Sequence, residues 1–463
     1  MDDRDRERHD EQHGVMDRLG GEDEGQQASI RQVAFASMIG TTVEWYDFFL
    51  YGTAAALVFN QLFFPEYAPL TGTLLAFGTY AVGFFARPVG GIVAGHYGDK
   101  IGRKAMLVLT LLIMGSATFL IGLLPTYQSI GIWAPILLLA LRLLQGFGIG
   151  GEWGGAVLMA VEHSPANRRG FYGSWPQIGV PAGLLTANLV YLLVNRSMSE
   201  EAWLAWGWRI PFLVSIVLIA VGMFIRLRIS ETPAFNRVRE TQTEASMPIV
   251  EVLRTYPKQV LQAMGMRIAE NGAFYVFSVF VLAYVTQSLG MESTTAQTGV
   301  LIAAAIGLFS LPIWGWLSDR VGRRPVYLFG AVFSLLFAFP FFWLMNTESA
   351  VLIWLAIILS LVLGHDAMYG PQAAYFAELF GTRVRYSGAS LGYQLASVLA
   401  GGLSPLIATA LLAAYGFAAV AWYLAGMALI TIIAVISAAE TYRGDIVEDQ
   451  PEESGLRPEA GMR

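Results

Sequence analysis

The ten residues GHYGDKIGRK at 95–104 return in altered form as GWLSDRVGRR at 315–324. Each copy directly follows an apolar segment and carries one aspartate with basic side chains one, four and five residues after it. A second match, with the pattern E-x6-R, joins 162–169 to 378–385 at a similar offset along the chain. Two independent motifs that each recur after a similar number of residues predict that the chain consists of two duplicated halves. Duplicated halves place a binding site between them.

Long apolar segments surround these motifs. A membrane-spanning helix needs about 20 mostly apolar residues, and twelve such segments can be marked, near 33–58, 71–97, 105–124, 132–162, 170–194, 207–228, 259–287, 295–317, 325–345, 350–378, 387–414 and 417–439. The chain has 463 residues, of which 55% are hydrophobic and 14% are charged, whereas a soluble domain is about 25% charged. We therefore predict an all-α integral membrane protein with twelve transmembrane helices in two pseudo-symmetric six-helix halves, the major facilitator fold.

The predicted organisation has five parts. An acidic tail covers 1–30, where ten acids face four bases, and a second acidic tail covers 441–463. Both are polar, and we expect both to be disordered. The N-terminal six-helix half covers 31–228 and the C-terminal half covers 259–440. A polar loop at 229–258 joins the two halves.

The basic residues of the loops predict the orientation of the chain. One side holds sixteen lysines and arginines, namely Lys100, Arg103, Lys104, Arg168, Arg169, Arg226, Arg228, Arg237, Arg239, Arg254, Lys258, Arg320, Arg323, Arg324, Arg383 and Arg385. The other side holds Arg196, with Arg209 entering the sixth helix. Since cytoplasmic loops carry the excess of positive charge, we expect a multi-pass protein of the cytoplasmic membrane with both termini in the cytoplasm.

Ionisable residues inside the predicted helices mark the candidate functional site, because a charge at the centre of a transmembrane helix costs about 2.5–3.5 kcal/mol. Glu44, Asp47 and Tyr51 share one face of the first helix. Asp47 lies about 16 residues beyond Arg31, or roughly 24 Å of helix rise. Burial favours the neutral form of an unpaired carboxyl group, so Asp47, with Glu44, is the first candidate for proton coupling. The alternative is a structural partner for an intramembrane arginine.

Two arginines of the first half are candidates for substrate binding. Arg87 lies in the second helix, and Arg142, Gln145 and Glu152 share one face of the fourth helix. An arginine grips a carboxylate with two parallel hydrogen bonds, which favours an anionic substrate. Alternatively, Asp47 or Glu152 neutralises the arginine within the bundle. For Arg142 a structural or proton-linked role is equally well supported, and Glu152 is a further candidate for proton coupling.

The second half repeats this pattern of buried polar groups. Arg267 and Glu270 of the seventh helix are three residues apart and can pair with each other. In that event Asn271 and Tyr275 are the better candidates for the cavity wall. The remaining candidates are Gln177 on the fifth helix, Asp366 (for the proton, beside His365), Tyr369 and Gln372 on the tenth, and Tyr393 and Gln394 on the eleventh.

The loop motifs favour a role in gating. They lie at helix ends of the predicted cytoplasmic side, where the opposite half would close, and ion pairs that form in one conformation and break in another bias which side is open. The alternative is a signal for topology alone. The predicted gating set is Asp99, Arg103, Lys104, Asp319, Arg323, Arg324, Glu162, Arg169, Glu378 and Arg385.

These motifs resemble a known family. The pattern G-x-x-x-D-[RK]-x-G-R-[RK], after the second helix of each half, is similar to the signature of the major facilitator superfamily. Longer strings narrow the resemblance: EWYDFFLYG (44–52), ARPVGG (86–91), RLLQGFGIGGEWGGA (142–156), RRGFYGSWPQIG (168–179), GWRIPF (207–212), ETPAF (231–235) and RVRYSGASLGYQ (383–394). Together they resemble the metabolite:proton symporters, which carry shikimate, 2-oxoglutarate, citrate, and proline or betaine. The resemblance covers about 31–443, looks closest to the shikimate-permease branch, and implies inward symport driven by the proton gradient.

The sequence therefore predicts a secondary active transporter and not an enzyme. Its predicted function is proton-coupled uptake, by alternating access, of a small organic acid such as shikimate or 2-oxoglutarate. The alternative is a symporter for a proline- or betaine-type osmolyte. A membrane enzyme would need a metal cluster, a nucleophile–base pair or a nucleotide loop, and a transporter-derived receptor would usually carry a large soluble domain. The sequence has no cysteine and no paired histidines at ligand spacing. We expect no metal and no cofactor besides the proton, a carboxylate substrate, a lipid bilayer as partner, no nucleic acid, and a monomer.

Overall fold

The computed structural model describes residues 30, 34–101, 103–150, 153–162, 164–228, 248–381 and 385–444. Throughout these ranges the regular structure is helical and contains no β-strand.

Six long helices make up the first half. They are α1 (34–57), α2 (Pro69–Ile101), α3 (Arg103–Leu123), α4 (Trp133–Gly150, resuming as Trp153–Glu162), α5 (Arg169–Arg196) and α6 (Arg209–Arg228). Short helical turns at Phe59–Phe63, Tyr127–Ile130 and Glu200–Ala202 lie in the connections. Pro69 opens α2 and Pro165 precedes the turn that leads into α5, in keeping with the preference of proline for the start of a helix.

Six long helices also make up the second half, after a short helix at Pro248–Thr255. They are α7 (Pro257–Tyr275, continuing through Val276–Phe280, Val281–Ala283 and Tyr284–Ser288), α8 (Ser293–Val321), α9 (Arg323–Met345), α10 (Ala350–Leu359, Ser360–His365 and Asp366–Glu378), α11 (Arg385–Ala396, Ser397–Gly402 and Ser404–Tyr415) and α12 (Phe417–Ser437). Three of them, α7, α10 and α11, contain wide π-helical turns, which are frequent at functional sites.

The twelve predicted helices are confirmed. Within the described ranges, nine helices are long and apolar enough to cross a membrane, and ten if the bent pair Glu200–Gly207 and Arg209–Phe224 counts as one span. The other two are α1, which carries Glu44 and Asp47, and α3, whose apolar part is Val108–Leu123. Large apolar side chains cover the outside of the bundle, among them Phe309 and Leu336, each 71% exposed. A surface of this kind requires a lipid environment.

Glycines bring α2 and α4 into close contact. A Cβ on Gly146 would lie 1.9 Å from the carbonyl oxygen of Gly83, and a Cβ on Gly150 would lie 2.0 Å from that of Arg87. Small residues allow this approach of two helix backbones in a membrane. The contact fixes Arg87 of α2 and Arg142 of α4 in the same region of the first half.

Contacts join the two halves at both ends of the molecule. At the end where α2, α4, α8 and α10 finish, which we call the basic end, the backbone N–H groups of Gly170 and Phe171 each donate to Asp319 over 2.8 Å. At the opposite end, Gln287 of α7 donates to Thr73 of α2 over 3.0 Å. The described arrangement is therefore bridged on both sides of its centre, as in an occluded transporter.

Candidate functional site

A narrow cavity lies between the two halves. Its walls come from α1, α2, α4 and α5 of the first half and from α11 of the second. Four residues predicted from the sequence line it: Glu44, Arg87, Tyr393 and Gln394. The other lining residues are Thr41, Trp45, Ile149, Trp153, Ala156, Val157 and Pro176.

Arg87 is held in the cavity wall by aromatic rings. Its guanidinium carbon lies 4.0 Å from the ring centre of Phe84, 4.3 Å from that of Phe48 and 5.7 Å from that of Trp45. These distances lie within the range of cation–π attraction. The side chain is 1% exposed, and its Nε and Nη2 atoms find no hydrogen-bond acceptor among the described residues. Arg87 thus carries a buried positive charge with free donors beside the cavity.

Arg142 and Asp47 belong to one polar region, although they do not form the ion pair considered from the sequence. Arg142 donates to Gln145 over 3.1 Å, and Gln145 donates to the hydroxyl of Thr118 over 2.7 Å. Thr118 in turn lies close to Asp47. Neither carboxylate oxygen of Asp47 has a hydrogen-bond partner in the described part of the chain, and the residue is 1% exposed. A glutamine and a threonine therefore lie between Arg142 and a buried carboxyl group.

Aromatic rings from both halves meet beside these arginines. The hydroxyl of Tyr51 donates to Thr79 over 2.7 Å, and its ring centre lies 4.3 Å from the Arg142 guanidinium carbon. Tyr275 of α7 packs across the seam, with its ring centre 5.3 Å from that of Phe84. Both predicted tyrosines thus help to hold the arginines of the first half in place.

Arg267 connects a buried carboxylate to the cavity wall. As the sequence suggested, it pairs with Glu270, over 2.7 Å, and it also donates to Gln372 over 2.8 Å. Its guanidinium carbon lies 3.2 Å from the ring centre of Tyr393. The other face of Tyr393 is near Trp153 of the first half, since these two ring centres are 3.7 Å apart and the rings are nearly parallel. Arg267 therefore contacts a ring that lines the cavity and touches both halves.

His365 bridges two carboxylates inside the second half. Its Nδ1 lies 2.8 Å from Asp366 Oδ1, as the sequence suggested, and its Nε2 lies 3.1 Å from Glu270 Oε1. The second oxygen of Asp366 accepts a hydrogen bond from the hydroxyl of Ser310. The π-helical turn Ser360–His365 ends directly before Asp366. His365 faces Glu270 of α7, and Asp366 faces Ser310 of α8.

Most of the remaining predicted site residues contact the seam between the halves. Gln177 donates to the backbone carbonyl of Tyr369, and Gln394 donates to that of Gly150 over 3.1 Å. Asn271 is 3% exposed, and its Nδ2 has no acceptor among the described residues. Of these three side chains, Gln394 lines the cavity, whereas Gln177 and Asn271 do not.

Charged residues of the repeated motifs lie at the basic end. Arg323 contacts Asp319 over 2.7 Å and Glu378 over 3.0 Å, and all three side chains are buried. Asp319 also accepts the two N–H groups at the start of α5, so this cluster of the second half holds the first half directly. Arg324, which is half-buried, donates to the carbonyl of Ile436 over 2.9 Å.

The first E-x6-R motif contacts the second across the two halves of the chain. Glu162 of the first half lies 3.5 Å from Arg385 of the second. Arg169 donates to the carbonyl of Gly444, the residue at which the described chain ends, over 2.9 Å. Just before it, Glu440 accepts the backbone N–H groups of Arg323 and Arg324 over 2.9 and 3.0 Å. Of the remaining predicted residues, Glu152 and the side chains of Asp99, Arg103 and Lys104 lie outside the described part of the structure.

Trp45 and Trp153 are cavity residues that sequence reasoning did not select. Each directly follows a glutamate in the sequence. A usable signal exists for Trp153, since Arg142, Ile149 and Trp153 follow one another at intervals of seven and four residues on one helical face. No such signal indicates Ser310 as the partner of Asp366.

The fold and the site define a multi-pass membrane protein that transports a small molecule through a cavity between its two halves. Residues 37–401 match the model of the Major Facilitator Superfamily, and the chain belongs to this superfamily. The resemblance found in the motifs is thereby confirmed, and the protein is a transporter and not an enzyme.

Relatives with similar sequences have names that agree with this class. The shikimate transporter of Escherichia coli (strain K12) is 42% identical over 417 residues, which cover 89% of this chain and 95% of the relative. The proline/betaine transporter of the same strain is 35% identical over 423 residues, covering 89% and 84%. The xylose transporter XylE from E. coli, in a partially occluded inward-open conformation, matches with a TM-score of 0.68 at 17% identity, covering 89% of this chain and 98% of the other. This last match shows the shared fold.

Proposed function

We propose that the chain is a proton-coupled symporter that takes up a small organic acid, such as shikimate, 2-oxoglutarate or a related carboxylate, by alternating access. The observation that carries the proposal is Arg87, a buried guanidinium group with two unpaired nitrogens in the wall of the cavity between the halves. The 42% identity to a shikimate transporter supports a substrate of this class. In this proposal the basic end faces the cytoplasm, as the distribution of loop arginines and lysines indicates.

A carboxylate in the cavity would supply the acceptors that Arg87 lacks. Hydrogen bonds between ionised groups are among the strongest in proteins, and an unsatisfied buried donor costs about 1–3 kcal/mol. Both considerations favour an anion at this position. The rings of Trp45, Trp153 and Tyr393 add flat apolar faces to the same cavity, and Gln394 adds an amide that suits a hydroxyl group. A small cyclic acid with hydroxyl substituents fits this combination.

Asp47 is the proposed coupling group. A buried carboxyl group without hydrogen-bond partners favours its neutral, protonated form. A shift of Arg142 toward it, through Gln145 and Thr118, would favour the ionised form instead. Such a difference between states is what coupling requires, because a group with equal proton affinity in every state transfers nothing. Glu44, which lines the cavity, is the second candidate for this role.

The contacts at the basic end are the proposed cytoplasmic gate. Asp319 accepts the N–H groups of Gly170 and Phe171 in the first half, and Glu162 meets Arg385 across the seam. A helix N-terminus carries a partial positive charge, so the Asp319 carboxylate is well placed at the start of α5. Opening toward the cytoplasm must break these contacts, and their formation therefore favours the state that is closed on this side.

A zwitterionic osmolyte is the second candidate substrate. Three aromatic rings, those of Trp45, Trp153 and Tyr393, line the cavity together with Glu44. Aromatic rings attract quaternary ammonium groups, while Arg87 would bind the carboxylate of the same molecule. The proline/betaine transporters that are 35% identical support this alternative.

Reconstituted vesicles test both candidates. Under an imposed pH gradient, alkaline inside, we expect labelled shikimate or 2-oxoglutarate to accumulate, and we expect a protonophore to abolish the accumulation. Accumulation of glycine betaine without any acid supports the second candidate. Acid uptake that never exceeds equilibrium, whatever the pH gradient, contradicts proton coupling.

A further inference from the structure

The second half contains a row of ionisable side chains that the proposed mechanism does not use. Arg267, Glu270, His365 and Asp366 are joined contact by contact, and none is more than 4% exposed. We call Glu270, His365 and Asp366 the acid–histidine trio. We propose that this trio binds one exchangeable proton and is a second proton-coupling site, connected to the cavity through Arg267. The inference rests on the proposed function, since it concerns the protons that drive uptake.

The contacts of His365 require an extra hydrogen. Its two ring nitrogens lie 3.1 Å and 2.8 Å from carboxylate oxygens of Glu270 and Asp366. A neutral imidazole has one N–H donor and one acceptor nitrogen, whereas an ionised carboxylate only accepts. With neutral His365 and two ionised carboxylates, one of the two contacts would set lone pair against lone pair. Both contacts hold a hydrogen only when the trio carries one more proton, on the imidazole or on a carboxyl group.

The outer oxygens of the two carboxylates are already occupied. Glu270 Oε2 accepts from Arg267 over 2.7 Å and from Gln372 over 3.0 Å. Asp366 Oδ2 accepts from Ser310. The extra proton therefore belongs to the two contacts that His365 makes, which lie in the middle of the trio.

The surroundings of the trio also favour the state with one extra proton. Among the described residues, the ionisable groups besides Arg267 that face it are tyrosines: Tyr275 of α7, Tyr327 of α9 through Gln372, Tyr369 of α10, and Tyr393 of α11. With one extra proton, the two carboxylates balance His365 and Arg267. Without it, a net negative charge remains in a buried region, which is unfavourable because a buried charge without a partner has lost its hydration.

Arg267 gives the trio a connection to the substrate. Its guanidinium group pairs with Glu270 and also lies against the ring of Tyr393, which lines the cavity. An anion bound beside Tyr393 attracts Arg267 and weakens its hold on Glu270. A carboxylate with a weaker cationic partner retains a proton more firmly. Substrate and proton thus favour each other's binding, which is the sign that symport requires.

The substitution Asp366→Asn removes the need for the extra proton but keeps the hydrogen-bond geometry of the trio. Its amide N–H can donate to His365 Nδ1 and its oxygen can accept from Ser310, so the contacts persist without the extra proton. We expect the number of protons carried per substrate, measured from the substrate gradient that balances an imposed pH gradient in vesicles, to fall by one. Exchange of labelled for unlabelled substrate should persist. The matched control is Ser310→Ala, which removes a hydrogen bond to the same carboxylate and should leave this ratio unchanged.

The outcomes distinguish this inference from the proposed function. If the ratio in Asp366→Asn equals that of the wild type, the second site is refuted while proton-coupled uptake stands. If the wild type itself shows no dependence on the pH gradient, the proposed function fails. A second measurement is made on the wild type and does not require Asp366→Asn to fold. Nitrogen NMR of histidine-labelled protein reports the protonation of His365, with His365→Gln used to assign its signal. Infrared spectra report the protonation of the carboxyl groups. A neutral imidazole together with two ionised carboxylates would overturn the inference, and a doubly protonated imidazole or a protonated carboxyl group of the trio would support it.

Discussion

Arg87 differs from the other buried arginines in what surrounds its guanidinium group. Arg142 donates to a glutamine, and Arg267 and Arg323 each contact a carboxylate over 2.7 Å. Around Arg87 the structure describes aromatic rings and no acceptor for Nε or Nη2. Arg267 and Arg323 are thus neutralised by carboxylates inside the fold, and Arg142 has a glutamine as acceptor, whereas Arg87 retains donors for a ligand.

The substitution Arg87→Lys tests this difference. Lysine keeps the charge but loses the planar fork that binds both oxygens of a carboxylate. Since a hydrogen bond to a charged group contributes about 1.5–3 kcal/mol, we expect the half-saturation concentration for the transported acid to rise about tenfold or more. Arg209→Lys, at the outer end of α6, is the control and should leave this concentration unchanged in uptake assays. Unaltered affinity in Arg87→Lys would instead assign the carboxylate to Arg267 or Arg142.

The substitution Asp47→Asn tests the proton. Asparagine resembles the protonated carboxyl group and cannot release a proton, so we expect the number of protons carried per substrate to fall by one. In combination with Asp366→Asn, we expect concentrative uptake to disappear and exchange to remain. The measurements are counterflow and accumulation in the same vesicles, with Thr118→Val as the matched control for loss of the neighbouring hydroxyl. Undiminished accumulation in Asp47→Asn would transfer the role to Glu44.

The sequence predicted contacts of short range better than contacts between helices. The pairs Arg267–Glu270 and His365–Asp366 follow from spacings of three and one residues along the chain. The contact of His365 with Glu270 was not predicted, because the sequence spacing does not specify how α7 and α10 are rotated against each other. Likewise, the sequence left open whether Asp47 of α1 pairs with Arg142 of α4, and in the structure Arg142 donates to Gln145 of its own helix instead.

At the scale of helices, the contact between α2 and α4 determines where both arginines of the first half lie. Gly146→Ala would place a Cβ 1.9 Å from the carbonyl oxygen of Gly83, so one backbone must shift. Overpacking of this kind costs about 1–3 kcal/mol. We expect a lower temperature of thermal unfolding, measured by intrinsic fluorescence, together with weaker substrate binding. Gly78→Ala on α2 is the control, because no atom lies within 4 Å of its Cβ; a loss of the same size there would contradict the account.

The apolar pattern predicted helices but not their irregular turns. The segment predicted near 350–378 is found as three consecutive pieces, Ala350–Leu359, Ser360–His365 and Asp366–Glu378. The wide turn Ser360–His365 keeps the apolar character of its neighbours, so hydropathy does not reveal it. Yet this turn sets the direction of His365 and Asp366. The trio therefore depends on a turn that the apolar pattern of the sequence does not predict.

At the scale of the whole molecule, the gate can be tested without altering the cavity. Asp319→Asn removes the charge that accepts N–H groups from Gly170 and Phe171, so we expect the basic end to open more often. The chain has no cysteine, and Ser174→Cys places a single buried thiol on α5, close to Gly315 of α8. We expect this thiol to react faster with a water-soluble maleimide when Asp319→Asn is present.

The control for the gate lies at the opposite end of the same helix. Glu292→Gln, just before α8, also removes one carboxylate charge but makes no contact with α5, and it should leave the labelling rate of Ser174→Cys unchanged. Equal rates with and without Asp319→Asn would remove Asp319 from the gate. Affinity for the substrate should change little, because Asp319 is not among the residues that line the cavity.

The hydrogen bond from Arg169 to the carbonyl of Gly444 has a practical consequence for anyone who labels or fuses this protein. Gly444 lies at the joint between the two halves, and Glu440 holds the preceding stretch against the start of α9. A bulky group attached at Gly444 itself would therefore obstruct that joint. The same position is well suited to a reporter. A fluorophore on Gly444→Cys, paired with a quencher at the start of α5, would show each opening of the joint as a rise in fluorescence.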